Sequence, residues 1–459
     1  MRILFFMTHP GHARTFETTL RELLRRGDKV EIALTEDAAG GIEGSDALLA
    51  PLAREHEGLA VSLTPPRPRL GTARISAATR LVLDYLRYVE GPLAGSERLR
   101  SRARHRLPRF LQWPLDHAPA GVHAALRAGL MRLLKHLPPS RTMDRWLEER
   151  RADVAVLTPV VETGSPQVEW IRAVRRRGVP SCVAVSSWDS LVTKGGLYLN
   201  PDAVAVWNDA QAGWATGLHP IDERSVRIVG AYAFDRWHGA MPSRSRAELA
   251  RDAGFDPDEA YLLYVCSSPF IAPEEGRHIA RCIQTIRDGP APLSRIQLLV
   301  REHPLAAGRT AAALEHFDGI HTFPAVGANP VDRISQADYF DSVFHSAAVI
   351  GVNTSAFLEA AIINRPVHAH LPEDDARSQL QMVHLAALTA DRGGPVTVSQ
   401  TAAGFRAALT AILADPAPQL AANAAFAEAL AGPDGPGRAA AALADVIEQL
   451  AARPQASGR

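Results

Sequence analysis

The first 34 residues narrow the fold more than any other stretch of the chain. Ile3 to Met7 is an unbroken apolar run, His9-Pro10-Gly11-His12 is a turn, and Thr15 to Arg26 carries Phe16, Leu20, Leu23 and Leu24 at helical spacing. Gly27 then closes the helix and Val30 to Leu34 resumes an apolar strand. A strand apolar on both faces, a helix and a second such strand form a βαβ unit, the building block of parallel sheets covered by helices.

The rhythm returns after residue 150, with strand-like runs at Val154 to Leu157, Ser181 to Val185, Ala203 to Trp207 and Val226 to Val229. A second series follows at Tyr261 to Cys266, Ile296 to Val300, Val349 to Val352 and Pro366 to Ala369, with helical segments between. The fold class implied is α/β, with two Rossmann-like doubly wound domains in succession. The expected boundaries are 1–236 for the first domain, 237–452 for the second with an Ala-rich helical end, and 453–459 for a disordered tail.

Fifty Lys plus Arg balance fifty Asp plus Glu among 459 residues, so no global basic field draws the chain to nucleic acid. Cys182, Cys266 and Cys282 are odd in number and far apart, which argues against a disulfide or a zinc ladder. The short apolar start lacks a cleavage site, and no apolar run reaches the ~20 residues of a membrane span. A cytoplasmic protein is therefore expected, or one associated with the membrane from its cytoplasmic face.

Residues 67–146 depart from this neutrality, with sixteen Lys or Arg against five Asp or Glu, interleaved with Leu, Tyr, Phe and Trp. This composition predicts a basic helical insertion in the first domain, either a solvated arginine-rich surface or a contact for an anionic membrane or acceptor.

Candidate chemistry gathers where strands end, the place open α/β sheets put their ligands. His12 follows the first strand and is a candidate general base, its ordinary pKa being suited to neutral pH. Glu162 follows the strand at 154–157 and is a further catalytic candidate facing the same cleft, or else an acid favoured by a helix N-terminus. Ser186 to Gly196 is dense in polar groups: Asp189 could act as a base or orient one, Trp188 could stack on a sugar, and Lys194, one of three lysines in the chain, suits a phosphate. In the second half Ser267 and Ser268 follow a strand. The segment Gly351-Val352-Asn353-Thr354-Ser355-Ala356-Phe357-Leu358-Glu359-Ala360 runs from a strand through small polar residues into a helix start, where hydroxyls and backbone N–H groups can hold a diphosphate and Glu359 a ribose diol. His219, His278 and His384 read as surface or satisfied core residues, and Asp374-Asp375 as a loop; no metal ligand set is read.

Val349 to Val367 resembles the donor-binding segment of GT-B glycosyltransferases and of UDP-GlcNAc 2-epimerases. Val300-Arg301-Glu302-His303-Pro304 resembles the Arg-x-His-Pro element of bacterial polysialyltransferases and teichoic-acid polyol-phosphate transferases. Trp207-Asn208-Asp209 and Ile228 to Asp235 are similar to the end of the first GT-B domain. The resemblance implies that His303, helped by Arg301, contacts donor phosphates, that Asn353, Thr354, Ser355 and Glu359 hold the rest of the donor, and that His12 takes a proton from the acceptor hydroxyl. It also implies a metal-independent transferase with no cofactor, the nucleotide-sugar being a substrate. The leading expectation is a glycosyltransferase of surface polysaccharide or glycolipid synthesis, acting on a sugar or glycolipid acceptor. Its rivals are a CDP-polyol phosphotransferase, a non-hydrolysing nucleotide-sugar epimerase, for which the Arg-Pro-Glu run after the first strand is missing, and a non-catalytic nucleotide-sugar-binding protein.

Overall fold

The computed structural model describes residues 1–35, 46–66, 71–324, 330, 332–371 and 376–453. The Asp374-Asp375 pair and residues 454–459 of the expected tail lie outside them. The described chain divides into two units, Met1–Asp235 with the chain from Leu430 onward, and Arg236–Ala429.

The first unit holds strands β1 (Arg2–Met7), β2 (Lys29–Leu34), β3 (Leu59–Leu63), β4 (Val154–Thr158), β5 (Ser181–Ala184), β6 (Ala203–Val206) and β7 (Val226–Ile228). They are parallel, in the order β3-β2-β1-β4-β5-β6-β7. Residues Ile3 to Met7 are all buried, as a strand covered on both faces demands. Phe5 meets Phe16 of the following helix edge-on at 5.1 Å, and Phe6 stacks on Trp170 at 4.6 Å, so one sheet face packs each helix layer.

The second unit holds β8 (Tyr261–Val265), β9 (Gln297–Arg301), β10 (Ile320–Thr322), β11 (Ala348–Gly351), β12 (Val367–His370) and β13 (Val396–Ser399), also parallel, in the order β10-β9-β8-β11-β12-β13. Its first helix, Arg246–Ala253, opens with a reciprocal capping box between Ser245 and Glu248. In both sheets the strand order reverses beside the first strand of the unit, between β1 and β4 and between β8 and β11. Ligands of open α/β sheets bind at that reversal.

Among the described residues five helices lie between β3 and β4, from Thr72–Leu86 to Arg141–Arg150, where the basic insertion was expected. Several of its arginines are not solvated. Arg80 and Arg87 are buried, and Arg87 donates to the backbone oxygens of Leu191 and Lys194 at 2.9 and 3.0 Å. Buried Asp84 accepts from the N–H of Gly196 and the hydroxyl of Tyr198, both at 2.7 Å. The insertion therefore knits the 191–198 loop in place as well as presenting a surface.

The expected second domain ran to residue 452, but the structure assigns the chain from Leu430 to the first unit. Helix Ala439–Ala451 packs on Ala13–Arg25, where Arg26 pairs with Asp445 and Glu448 at 2.6 and 2.8 Å. Asp235 accepts from the N–H of Ala440 at 2.6 Å. A Cβ at Gly230, whose φ is +88°, would lie 2.2 Å from the oxygen of Ala431, so only glycine lets the two backbones meet. An Ala-rich sequence forms a helix readily but carries little that says which unit it covers.

Candidate functional site

In the first unit the turn after β1 brings His9 and His12 together, ring centroids 4.0 Å apart, with the His12 N–H donating to the oxygen of His9 at 3.2 Å. Lys194 acts electrostatically on both rings and Glu162, from the β4 loop, on His9; the two meet each other at 3.5 Å. The approach depends on Gly195, where a Cβ would stand 3.0 Å from the oxygen of Glu162. His12, Glu162 and Lys194, predicted from separate strand ends, thus share one place at the β1/β4 reversal. His9 belongs with them and was not singled out, although it lies in the same turn.

Burial drives the pKa of His12 down to about 3, assisted by His9 and Lys194, and also lowers that of His9. The His12 ring is therefore neutral at pH 7. The Nε2 of His12 and Nδ1 of His9 are shielded from solvent and have no hydrogen-bond partner among the described residues. Thr8 and Thr158, beside them at the ends of β1 and β4, likewise hold shielded hydroxyls without partners. Unsatisfied polar atoms cost about 1–3 kcal/mol each when buried, which makes the paired histidines a candidate place for a ligand to supply the missing bonds.

Two predicted residues have other employment. Trp188 is 2% exposed and packs edge-on against Trp214 at 4.9 Å, which removes its indole from any sugar-stacking role and corrects that expectation. Asp189 precedes a short helix, Ser190–Thr193, and accepts from Ser187 and Thr193 at 2.7 and 2.6 Å, one bond to each carboxylate oxygen. These contacts fit a loop brace better than a base.

In the second unit β8 and β11 are tied at their reversal by the N–H of Asn353, which donates to the hydroxyl of Ser267 at 3.2 Å. Asn353 also donates to Gln379 at 3.1 Å. The N–H of Ser267 donates to Glu275 at 2.9 Å, and burial raises that carboxyl to a pKa of about 8 despite its hydrogen bonds. Ser267 and Asn353 are buried and frame the loops, while Ser268 is half-buried in the next turn and Thr354 and Ser355 are the more open residues of the Asn353-Thr354-Ser355 run. Ser355 is exposed at the start of helix Ala356–Ile362, and its hydroxyl makes no cap bond.

Glu359 is buried, and accepts from the Trp237 indole at 3.4 Å and from the Tyr339 hydroxyl. Arg301 is 4% exposed, with its guanidinium 5.2 Å from the centre of the Tyr339 ring and its side chain reaching the oxygen of Phe323 at 3.5 Å. Its guanidinium is thus buried between Tyr339 and the Phe323 carbonyl. Its neighbour Glu302, which sequence reading passed over, binds the backbone of Gly308 and both the N–H and the hydroxyl of Thr310. His303 accepts from the Leu305 N–H through Nδ1 at 3.1 Å, which leaves Nε2 carrying the proton. That N–H is the donor a phosphate oxygen needs. His303 lines a cleft of about 530 Å³ with Cys266, Glu275, Glu302, Arg309 and Thr310, in the second unit.

His219 is a satisfied core residue, bonded to Leu197 and Leu191. The three cysteines are buried and unbridged. His278 and Cys282 are not isolated in space, however: with His370 they place three possible ligand atoms within 4.8 Å of one another, where no ligand set was expected.

No protein-family model and no curated protein matches the chain. Solved structures do match along its length. A UDP-GlcNAc 2-epimerase from Neisseria meningitidis bound to UDP-GlcNAc aligns with a TM-score of 0.56 at 10% identity, over 98% of this chain and 100% of its own. A structure described as a UDP-N-acetylglucosamine 2-epimerase from Listeria monocytogenes aligns at 0.55 and 10% identity, over 99% and 98%. UGT89C1 of Arabidopsis thaliana complexed with UDP aligns at 0.53 and 11% identity, over 98% and 99%. The two parallel sheets and this likeness establish one fold.

Proposed function

We propose that this chain, which has the GT-B fold, is a glycosyltransferase that moves a sugar from a nucleotide donor to an acceptor hydroxyl. The observation that carries the reading is the shielded, unpartnered Nε2 of His12 at the β1/β4 reversal. In this reading the nucleotide is held by the second unit, with the His303 Nε2–H and the hydroxyls of Thr354 and Ser355 on the diphosphate. The acceptor hydroxyl gives its proton to His12 Nε2, its oxygen bonds to the anomeric carbon, and the bond from that carbon to the diphosphate oxygen breaks. A pKa near 3 makes His12 a weak proton acceptor in the ligand-free protein. Negative charge brought beside the ring by a bound ligand raises the value toward neutrality.

Neighbours solved with UDP or UDP-GlcNAc support uridine nucleotides as the first donors to test. A thermal-shift series with UDP-, GDP-, CDP- and dTDP-linked sugars and the free nucleotides is the experiment, since a ligand of the folded state raises its melting temperature. A shift with UDP and UDP-sugars, and UDP release that depends on an added acceptor, fits transfer. Interconversion of the donor without acceptor makes the chain an epimerase, a shift with CDP-alcohols favours polyol-phosphate transfer, and binding without turnover leaves a nucleotide-sugar-binding protein.

We further infer that the acceptor is presented at an anionic surface, as in polysaccharide or glycolipid synthesis. No described helix is long and apolar enough to cross a membrane. Helix Arg109–His117 of the insertion does expose Phe110 at 75% and Trp113 at 68%, near exposed Arg106 and Arg109. Aromatic rings flanked by cations suit the headgroup layer of a bilayer. Co-sedimentation with anionic but not with neutral vesicles is expected, and equal recovery with both contradicts the inference.

A further inference from the structure

We propose that His278, Cys282 and His370 form a binding site for a divalent transition ion, zinc foremost, at the carboxyl end of β12. His278 and Cys282 lie four residues apart on helix Glu275–Arg287, hence on one face, and His370 is the last residue of β12. One donor atom from each comes within 4.8 Å of the others, and the Cys282 sulfur stands 3.6 Å from His278 Nε2. Zinc bonds of about 2.0–2.1 Å to nitrogen and 2.3 Å to sulfur set tetrahedral donors on the order of 3.5 Å apart, so small side-chain shifts complete the set. Two imidazoles and a thiol select zinc-like ions over magnesium or calcium, which prefer oxygen.

The surroundings of His370 support the assignment. Its Nδ1 bonds to the Ser399 hydroxyl at 2.9 Å, which leaves Nε2 for the ion. Ser399 is itself bonded to His368 Nε2 at 2.8 Å, and His368 Nδ1 to the Thr397 hydroxyl at 2.8 Å. The His370 ring is further fixed by stacking on Phe405 at 4.4 Å and lies 5.2 Å from the His278 ring. A ligating histidine held through its other nitrogen is how proteins orient a metal site and fix the tautomer. His278 Nε2 also lies 2.9 Å from the backbone oxygen of His370, a bond it exchanges for the ion on binding. Three protein donors leave the fourth position to water or a ligand atom.

The site has a structural consequence. Helix Glu275–Arg287 begins with the carboxylate that holds the Ser267 N–H, so an ion joining this helix to β12 stiffens the β8 loop as well.

The test is titration of the metal-stripped full chain with Co²⁺, read by absorption. One Co²⁺ per chain is expected, with a thiolate-to-cobalt band in the near ultraviolet, displaced by Zn²⁺. Cys282→Ser should lose the band, and His370→Ala should weaken Co²⁺ binding at least about tenfold. Absence of saturable Co²⁺ binding, or an unchanged band in Cys282→Ser, overturns the proposal. Should Cys282→Ser fail to fold, His370→Ala at the half-buried strand end decides: unaltered Co²⁺ affinity there is equally fatal. None of these readouts depends on sugar transfer.

Discussion

At the β1/β4 reversal of the first unit, His9, His12, Thr8 and Thr158 hold shielded polar atoms without partners among the described residues. At the corresponding end of the second sheet, Glu275, Glu302 and Glu359 are buried carboxylates that each already accept two or more hydrogen bonds. A buried carboxylate bonded to backbone N–H groups fixes a loop and has little left with which to do chemistry. A shielded imidazole nitrogen without a partner is costly to the empty fold and gains most when a ligand arrives. Under the proposed function, the first unit supplies proton transfer and the second a rigid nucleotide frame.

The sharpest way to break this comparison is in the first unit. His12→Asn should lower turnover by about 10²–10⁴-fold, the usual loss of a general base, with the folded state retained because the carboxamide is smaller than the ring and still polar. Unchanged steady-state turnover would move the base elsewhere.

Glu302→Ala probes the frame. It strips the partners from Gly308 N–H and both Thr310 donors, and should cost about 2–4 kcal/mol in urea unfolding with weaker nucleotide binding. Stability within 0.5 kcal/mol of wild type, on the order of surface substitutions, would show that the loop needs no such brace.

Arg87→Ala tests whether the insertion supports the site from behind. Leaving the carbonyls of Leu191 and Lys194 without their charged donor should cost about 1.5–3 kcal/mol, and Arg87→Lys should rescue only part, since one ammonium does not span both oxygens as a guanidinium does. Full rescue by lysine contradicts the bridging role.

Acid sensitivity gives the smallest and most distributed effect. His12 and His368 are held near pKa 3 and His278 and His370 near 4, chiefly by burial. Each is neutral in the fold but protonates near 6.5 when unfolded, so its stabilising contribution is complete above pH 6.5 and shrinks as pH falls toward 4. Glu275, raised to about 8, works the other way and gains on acidification from 8 toward 4.5. Asp235, raised to about 6, and Asp84 act in the same sense as Glu275, but the lowered histidines outnumber the raised carboxyls, so the urea midpoint of the metal-free protein should fall between pH 6.5 and 4.5, and a flat profile would contradict the burial of these rings.

Much of the fold is legible in the sequence because both sheets are parallel and buried, which writes their central strands as continuous apolar runs. The strands that do not show are β3, β10 and β13, all at sheet edges, and β3 exposes alternate positions and more. His12, Glu162 and Lys194 are legible because strand ends converge at the sheet reversal. Trp188 misleads because a polar loop says nothing of which way an indole turns. Glu302 and Glu275 are invisible because their partners are backbone N–H groups, which have no sequence signature. His278 and Cys282 show a four-residue spacing, but His370 joins them only through the β12 crossover, some 90 residues on.

The central claim, that chemistry and nucleotide binding belong to different units, is tested most directly by calorimetric titration of UDP into wild type and His12→Asn. The account predicts dissociation constants within about twofold of each other alongside the lost turnover. A His12→Asn protein that binds UDP tenfold or more weakly, about 1.4 kcal/mol, would place His12 on the nucleotide and contradict the division.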